Sequence, residues 1–149
     1  MSAHEIVTAA ELAPSVGYAH AVVAAPGRVV QLGGQTAMDA EGKITVKGLV
    51  EQFDVAAGNV VAALRAAGCT PDDLVSMQVF VTDLREYRFR MRELAPVWQA
   101  HFGRRYPAMG LFGVTDLYDD DAQVELMGVA VRPDPPAGQD RVALPPTRG

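Results

Sequence analysis

Gln123-Val124-Glu125-Leu126-Met127-Gly128-Val129-Ala130-Val131 reads as a β-strand with two apolar faces. Successive side chains of a strand point to opposite sides. Val124, Leu126, Gly128 and Ala130 therefore share one face, and Glu125, Met127, Val129 and Val131 share the other. A strand with one wet face would alternate apolar with polar residues; this one is mostly apolar on both, the pattern of a strand covered on both sides. Glu125 breaks the pattern. A carboxylate among apolar neighbours is costly unless paired, and burial raises its pKa. Glu125 is thus a candidate general acid/base or water-positioning group, or a glutamate held by an arginine or backbone amides at a subunit interface.

Outward from this strand, Ala108–Val114 reads as the strand before it, across the acidic loop Asp116–Asp121. Leu74–Thr82, rich in valine, is a third. Leu49, Phe53, Ala57, Val60, Val61 and Leu64 form the apolar stripe of an amphipathic helix, stopped by Gly68. Tyr87, Met91, Leu94, Trp98 and Phe102 mark a second helix, capped by Asp83 and ended by Gly103, with Pro96 expected to kink or split it. Trp98 and Tyr87 lie on its stripe and read as core. Near the start, Ala19–Ala24 and Arg28–Gly34, separated by Pro26-Gly27, predict a β-hairpin, and Ile44–Val46 a brief strand or extended piece. The order β-β-(β)-α-β-α-β-β defines an α+β domain. Two helices cover one face of its sheet. The other face needs a partner, and a closed cyclic homo-oligomer is the expected cover.

The 149 residues suit one domain, 49% of them hydrophobic, enough for a real core and too many for a disordered chain. No stretch approaches the 18 or so apolar residues of a membrane span, and Met1-Ser2-Ala3-His4-Glu5 does not open a secretory signal. With the single cysteine, Cys69, the expectation is a cytoplasmic protein without membrane contact. A net charge of −5, with Arg104-Arg105 the longest basic block, argues against nucleic acid. Residues 1–132 are expected to form the domain and 133–149, with five prolines, an extended tail.

Other constellations read as structural. Asp119-Asp120-Asp121 lacks the alternating ligand spacing of a calcium loop, so no metal is expected there. His4, His20 and His101 have no metal-ligand spacing; His20 stands two residues from Tyr18 and could edge a cleft. Cys69 lies in a turn beside Asp72-Asp73, where nearby acids raise a thiol's pKa.

Four short motifs, in order over about residues 15–132, resemble the RidA/YjgF family: Gly17-Tyr18-Ala19-His20-Ala21-Val22, Leu32-Gly33-Gly34-Gln35, Val79-Phe80-Val81-Thr82-Asp83-Leu84, and Tyr106-Pro107-Ala108 followed by Val124-Glu125-Leu126. The resemblance implies a chorismate-mutase-like subunit. Its mixed sheet carries two helices on one face, and three subunits close a trimeric barrel with small-molecule clefts between them. It implies cofactor-free hydrolysis (deamination) of imines and enamines. Glu125 would be the water-positioning residue, Tyr18 its partner in the cleft, and Gly34 and Gln35 a wall. This chain departs from the pattern at Met109, where the family has an arginine that grips the substrate carboxylate as a two-pronged donor. Met91, Met109, Leu111 and Phe112 are expected to make the cleft more apolar. The reading is deamination or tautomerisation of an imine, enamine or related carbonyl compound other than 2-aminoacrylate, the alternative being a non-catalytic metabolite-binding or protein-interaction trimer.

Overall fold

The computed structural model describes residues 2–135. Its centre is a four-stranded mixed sheet in the order β3-β6-β4-β5, built from Gly27–Gln31, Val124–Pro133, Leu74–Val81 and Ala108–Gly113. The last strand, β6, runs antiparallel to both β3 and β4, while β4 and β5 are parallel. Parallel neighbours need a crossover, and helices α2 (Leu84–Phe89) and α3 (Met91–Phe102) provide it. Helix α1, Leu49–Ala66, connects β3 to β4 across the same side.

The alternation along β6 falls as expected. Val124, Leu126 and Ala130 are fully buried against the helices. Gly128 belongs to the same row, and a methyl there would sit 3.1 Å from the Leu74 side chain, which would have to give way. Strand β4 stays in phase through a bulge between Leu74 and Ser76, after which Met77, Val79 and Val81 point inward. Against this row pack Leu49, Phe53, Ala56, Ala57, Val60 and Leu64 of α1, and Leu94, Trp98 and Phe102 of α3. Among the described residues the opposite face is buried at Val131 but otherwise largely open: Phe112 is 45% exposed, Met127 40% and Val29 62%.

Helix ends follow local chemistry. Gly68, at φ 73°, closes α1 in a Schellman arrangement, with the Gly68 amide on the Arg65 carbonyl at 3.0 Å and the Cys69 amide on Leu64 at 2.8 Å. Asp83 caps α2 by accepting the Glu86 amide at 2.9 Å. The second helix does split, but at Arg90, before the proline: Pro96 sits inside α3. Arg90 is both the C-cap of α2 and the N-cap of α3, its carbonyl accepting the Leu94 amide at 3.0 Å as α3 begins.

One expectation needs correction. The turn at Pro26-Gly27 forms no hairpin. The strand before it, β2 (Ala21–Val23), pairs with an N-terminal strand, β1 (Glu5–Val7), and β3 pairs with β6. The cause is a competing set of bonds. The buried His4 ring accepts the Ala25 amide at 3.0 Å through Nδ1 and contacts the Val131 carbonyl at 3.0 Å through Nε2, drawing the N-terminal segment against the turn. Gly27 meanwhile lies so close to the Arg132 carbonyl that any side chain would collide. Of the two readings of Ile44–Val46, the strand does not form; the Val46 carbonyl accepts from the Gln52 side chain at 3.2 Å. Residues 136–149 of the expected tail lie outside the described residues. Among those described, no helix is long and apolar enough to cross a membrane.

Gln52 is buried on α1 and stitches two loops together. Its amide donates to Val46 and to the Asp121 carbonyl at 2.8 Å, and its oxygen accepts the Gln123 amide at 2.8 Å. Removing this one side chain would leave its own buried position without the amide and take a partner from three part-buried backbone groups. Gln52→Leu should lower unfolding free energy by about 2–4 kcal/mol in urea titration, while Gln99→Leu on the exposed side of α3 should change it little.

Candidate functional site

The nominated residues fall into two groups on different parts of the sheet. The first lies at the start of β6. The segment after β3 bends back to pair there, with the Gln35 amide on the Leu126 carbonyl and the Leu126 amide on the Gln35 carbonyl, both at 2.8 Å. This lays Gly34 directly against the Glu125 carboxylate; any side chain at Gly34 would collide with it. The half-buried carboxylate takes no hydrogen bond or ion pair from the described residues. Glu125 sits opposite Phe80 on β4, and Phe80 stacks on Phe112 of β5 at 5.6 Å between ring centres. An unpaired carboxylate thus stands on the open, mostly apolar face of the sheet.

The second group lies beyond β5. The Ala19 amide donates to the Pro107 carbonyl at 2.9 Å, which moors Gly17 and Tyr18 beside the start of that strand. Gly17, at φ 75°, takes the left-handed conformation that lets the chain turn there. Tyr18 is 41% exposed and meets His20 edge-on at 5.9 Å. The His20 ring is part of the loop's scaffold. Its Nδ1 accepts the Ala9 amide at 3.0 Å, so the proton sits on Nε2, which donates to the Ala13 carbonyl at 2.9 Å. Next to this loop is a cavity of about 80 Å3, lined by Gly17, Met91, Met109, Tyr87 and Trp98 among others.

Met91 and Met109 therefore do share one apolar wall. Phe112 does not join them. Alternation turns Met109 toward the helices and Phe112 to the open face, where its ring covers Gly110. Leu111, 41% exposed, is opposite Val79 and so faces the helix side as Met109 does. The expected four-residue apolar cleft is two surfaces in the subunit.

The two groups are far apart within one chain. From Glu125 to Tyr18 the path crosses β4 and β5 and runs back along β5 from Phe112 to Ala108. At ~4.8 Å per strand and ~3.3 Å per residue the separation is about 20 Å.

The remaining histidines and the cysteine serve structure. His101 Nε2 meets Asp54 at 2.6 Å, tying α3 to α1. Burial, reinforced by Asp73 and opposed by Arg132, pushes the Cys69 thiol up, away from reactivity. In the acidic loop, Asp119 accepts the Asp121 amide at 3.0 Å, as a turn residue does.

Tyr87 and Trp98 were read as core, and that reading is incomplete. Both line the cavity. Burial, with Tyr106 nearby, raises the Tyr87 pKa and keeps its phenol protonated. The Trp98 Nε1–H is buried and finds no acceptor among the described residues. Helical spacing identifies such residues as inward-facing but does not say whether they meet side chains or a space.

Comparison with known proteins agrees with this architecture. The family described as Endoribonuclease L-PSP matches residues 8–132. A goat protein named 2-iminobutanoate/2-iminopropanoate deaminase is 28% identical over 129 residues, 85% of this chain and 89% of its own length. The cattle protein of the same name is 27% identical over 130 residues, 86% and 90% of the two chains. Among solved structures, a Rid-family protein of unknown function from Yersinia pestis superposes with a TM-score of 0.78 at 26% identity, covering 87% of this chain and 98% of that one. RidA from an Antarctic Psychrobacter superposes at 0.62 with 26% identity, covering 86% and 99%. The ordered motifs, the mixed sheet with its helices on one face and the match over residues 8–132 lead to one assignment: the chain belongs to the RidA/YjgF family.

Proposed function

We propose that this protein hydrolyses imines or enamines, or tautomerises a related carbonyl compound, without a cofactor, in clefts between the subunits of a homotrimer. The observation that carries the reading is the unpaired Glu125 carboxylate on an uncovered sheet face, about 20 Å in the chain from the Tyr18 loop by strand spacing. A second subunit placed on that face would set its Tyr18 loop and cavity beside Glu125. An oligomer also accounts for the exposed Phe112, Met127 and Val29, which one subunit leaves in water.

In the proposed reaction water adds to the electrophilic imine carbon. The Glu125 carboxylate accepts the water proton as the carbon–oxygen bond forms. It returns that proton to nitrogen, giving a carbinolamine; the carbinol hydroxyl proton then passes through the same carboxylate to nitrogen as the carbon–nitrogen bond breaks, so that ammonia or an amine leaves a carbonyl behind. The protein's work is to hold the substrate, orient one water and relay that water's two protons in turn. Tyr18 would hydrogen-bond the substrate, and the close Gly34 backbone would keep the carboxylate in place.

The curated relatives are named for 2-iminobutanoate and 2-iminopropanoate, which carry a carboxylate. Here Met109 occupies the cavity wall, and no cationic side chain lines that cavity among the described residues. An uncharged substrate fits such a wall better, since an anion moved there would lose its hydration without a partner. The same feature supports a second reading, a trimer that binds a metabolite without turning it over. The family description also names ribonuclease activity. The net charge of −5 favours a small molecule over RNA, as does the engagement of all three histidines by structural partners.

Uncharged imines generated by an amine oxidase should lose ammonia faster in the protein's presence, whereas 2-aminoacrylate should not. Glu125→Gln should lower the rate roughly a hundredfold or more with the oligomer intact. An unchanged rate would overturn the role of Glu125, and thermal stabilisation by these compounds without turnover would establish the binding-only reading. Met127→Lys should give folded monomers in analytical ultracentrifugation, because it puts a charge on the proposed interface.

A further inference from the structure

Each half of the proposed cleft has a charged rim, and the two rims are of opposite sign. On the half that holds the Met91 cavity, Arg85, Arg88, Arg90 and Arg92 lie on α2, at its junction with α3 and on the first turn of α3. In a chain of net charge −5 this is a local reversal of sign. Arg90 is engaged locally, by Glu93 at 3.1 Å and Glu86 at 3.9 Å. Arg85, Arg88 and Arg92 are exposed and have no hydrogen-bond or ion-pair partner among the described residues. Among these arginines Phe89 stands 82% exposed, touched at its face by the Arg90 guanidinium at 5.9 Å.

On the Glu125 half, the loop into β6 carries Asp116, Asp119, Asp120 and Asp121. No cation pairs with these carboxylates among the described residues; Lys47 shares a groove with Asp120 and Asp121 without forming an ion pair. Tyr118, within the loop, is fully exposed. Asp121 comes four residues before Glu125, so the chain holds the two within about 14 Å. Arginines and aromatic rings are the side chains enriched at protein interfaces. The contacts of a closed ring are heterologous: each subunit offers one surface to one neighbour and a different surface to the other. Two different patches of opposite charge on one chain meet that requirement. Bringing the Met91 cavity of one subunit to Glu125 of the next also carries Arg88 and Arg92, which flank Met91 in sequence, toward the aspartates that precede Glu125.

We infer that the loop of residues 116–121 in each subunit docks on the arginine face of α2 and α3 in the next, closing the rim of the cleft, with Tyr118 and Phe89 as the apolar part of the contact. The occupant of the arginine face is a second copy of this chain. The inference rests on the proposed homotrimer and deepens it by naming the charge pairs that set how neighbouring subunits meet. Exposed ion pairs are individually weak. Several of them around an aromatic contact orient the partner and disfavour wrong arrangements, which would set like charges face to face.

Sedimentation of the full chain over a dilution series reads the dissociation constant of the oligomer. Arg88→Glu with Arg92→Glu should raise it roughly tenfold or more, and Asp116→Lys with Asp120→Lys should do the same. The four substitutions together leave the net charge at −5 and reverse both patches, so the constant should return to within about threefold of the starting protein. High salt should narrow the differences among the variants. All four side chains are exposed, and circular dichroism checks that each variant is folded; if a reversal fails to fold, Arg88→Gln with Arg92→Gln reads the same contact with a smaller effect in the same direction. Reversals that leave the constant unchanged would assign the arginines to a different partner and sink the inference, as would a fourfold variant no tighter than the twofold ones. Either result leaves the trimer and the Glu125→Gln experiment standing, whereas an unsubstituted chain that stays monomeric would overturn the homotrimer itself.

Discussion

The pairing of β6 between β3 and β4 is the constraint on which the subunit depends. This strand bonds to a neighbour along each edge and presents a packed row, Val124, Leu126, Gly128 and Ala130, to the helices. Its register decides everything attached to it. A slip of one residue would bury Glu125 under α1 and expose Leu126. The register also fixes the chemistry, because Glu125 faces the open side only while Leu126 exchanges two backbone bonds with Gln35. Gly34 is pinned against the carboxylate by that same pair of bonds.

The helices follow from the sheet. Between α1 and β6 the small residues Ala56, Ala57, Gly128 and Ala130 allow close approach, while Phe53, Leu64 and Trp98 fill the volume further out. The crossover from β4 to β5 carries the second half of the site. Its helix pair starts at the Asp83 cap, turns at Arg90 and delivers Met91 and Trp98 to the cavity that Met109 walls from β5. One topological unit, strand–helix–strand, thus builds a pocket, while the β3–β6 edge builds the carboxylate. The two halves are separated by the width of the sheet.

The strands from Leu74, Ala108 and Gln123, both amphipathic helices and the Asp83 and Gly68 helix ends were legible because each is set by local periodicity or capping chemistry. The N-terminal pairing was not. A Pro-Gly turn between apolar runs is a hairpin signal, but β2 found a better partner in β1 because the His4 ring, 21 residues away from Ala25, anchors the first strand there. Phe112 lies close to Met109 in sequence, yet strand alternation puts the two on opposite faces of the subunit. Trp98 and Tyr87 carried an inward-facing signal that packing alone appeared to explain.

The sequence by itself determined the α+β class, the family, the odd carboxylate at Glu125 and the substitution of Met109 for a cation, because residue identity and short-range pattern suffice for these. Only the tertiary structure decided that Gly34 abuts Glu125, that this carboxylate has no partner among the described residues, and that the Trp98 ring lines a cavity while its buried Nε1–H finds no acceptor among them. Those facts depend on which groups meet across strands distant in sequence. Hydrogen-bond satisfaction is a property of the assembled interior and is written in no single segment of the chain.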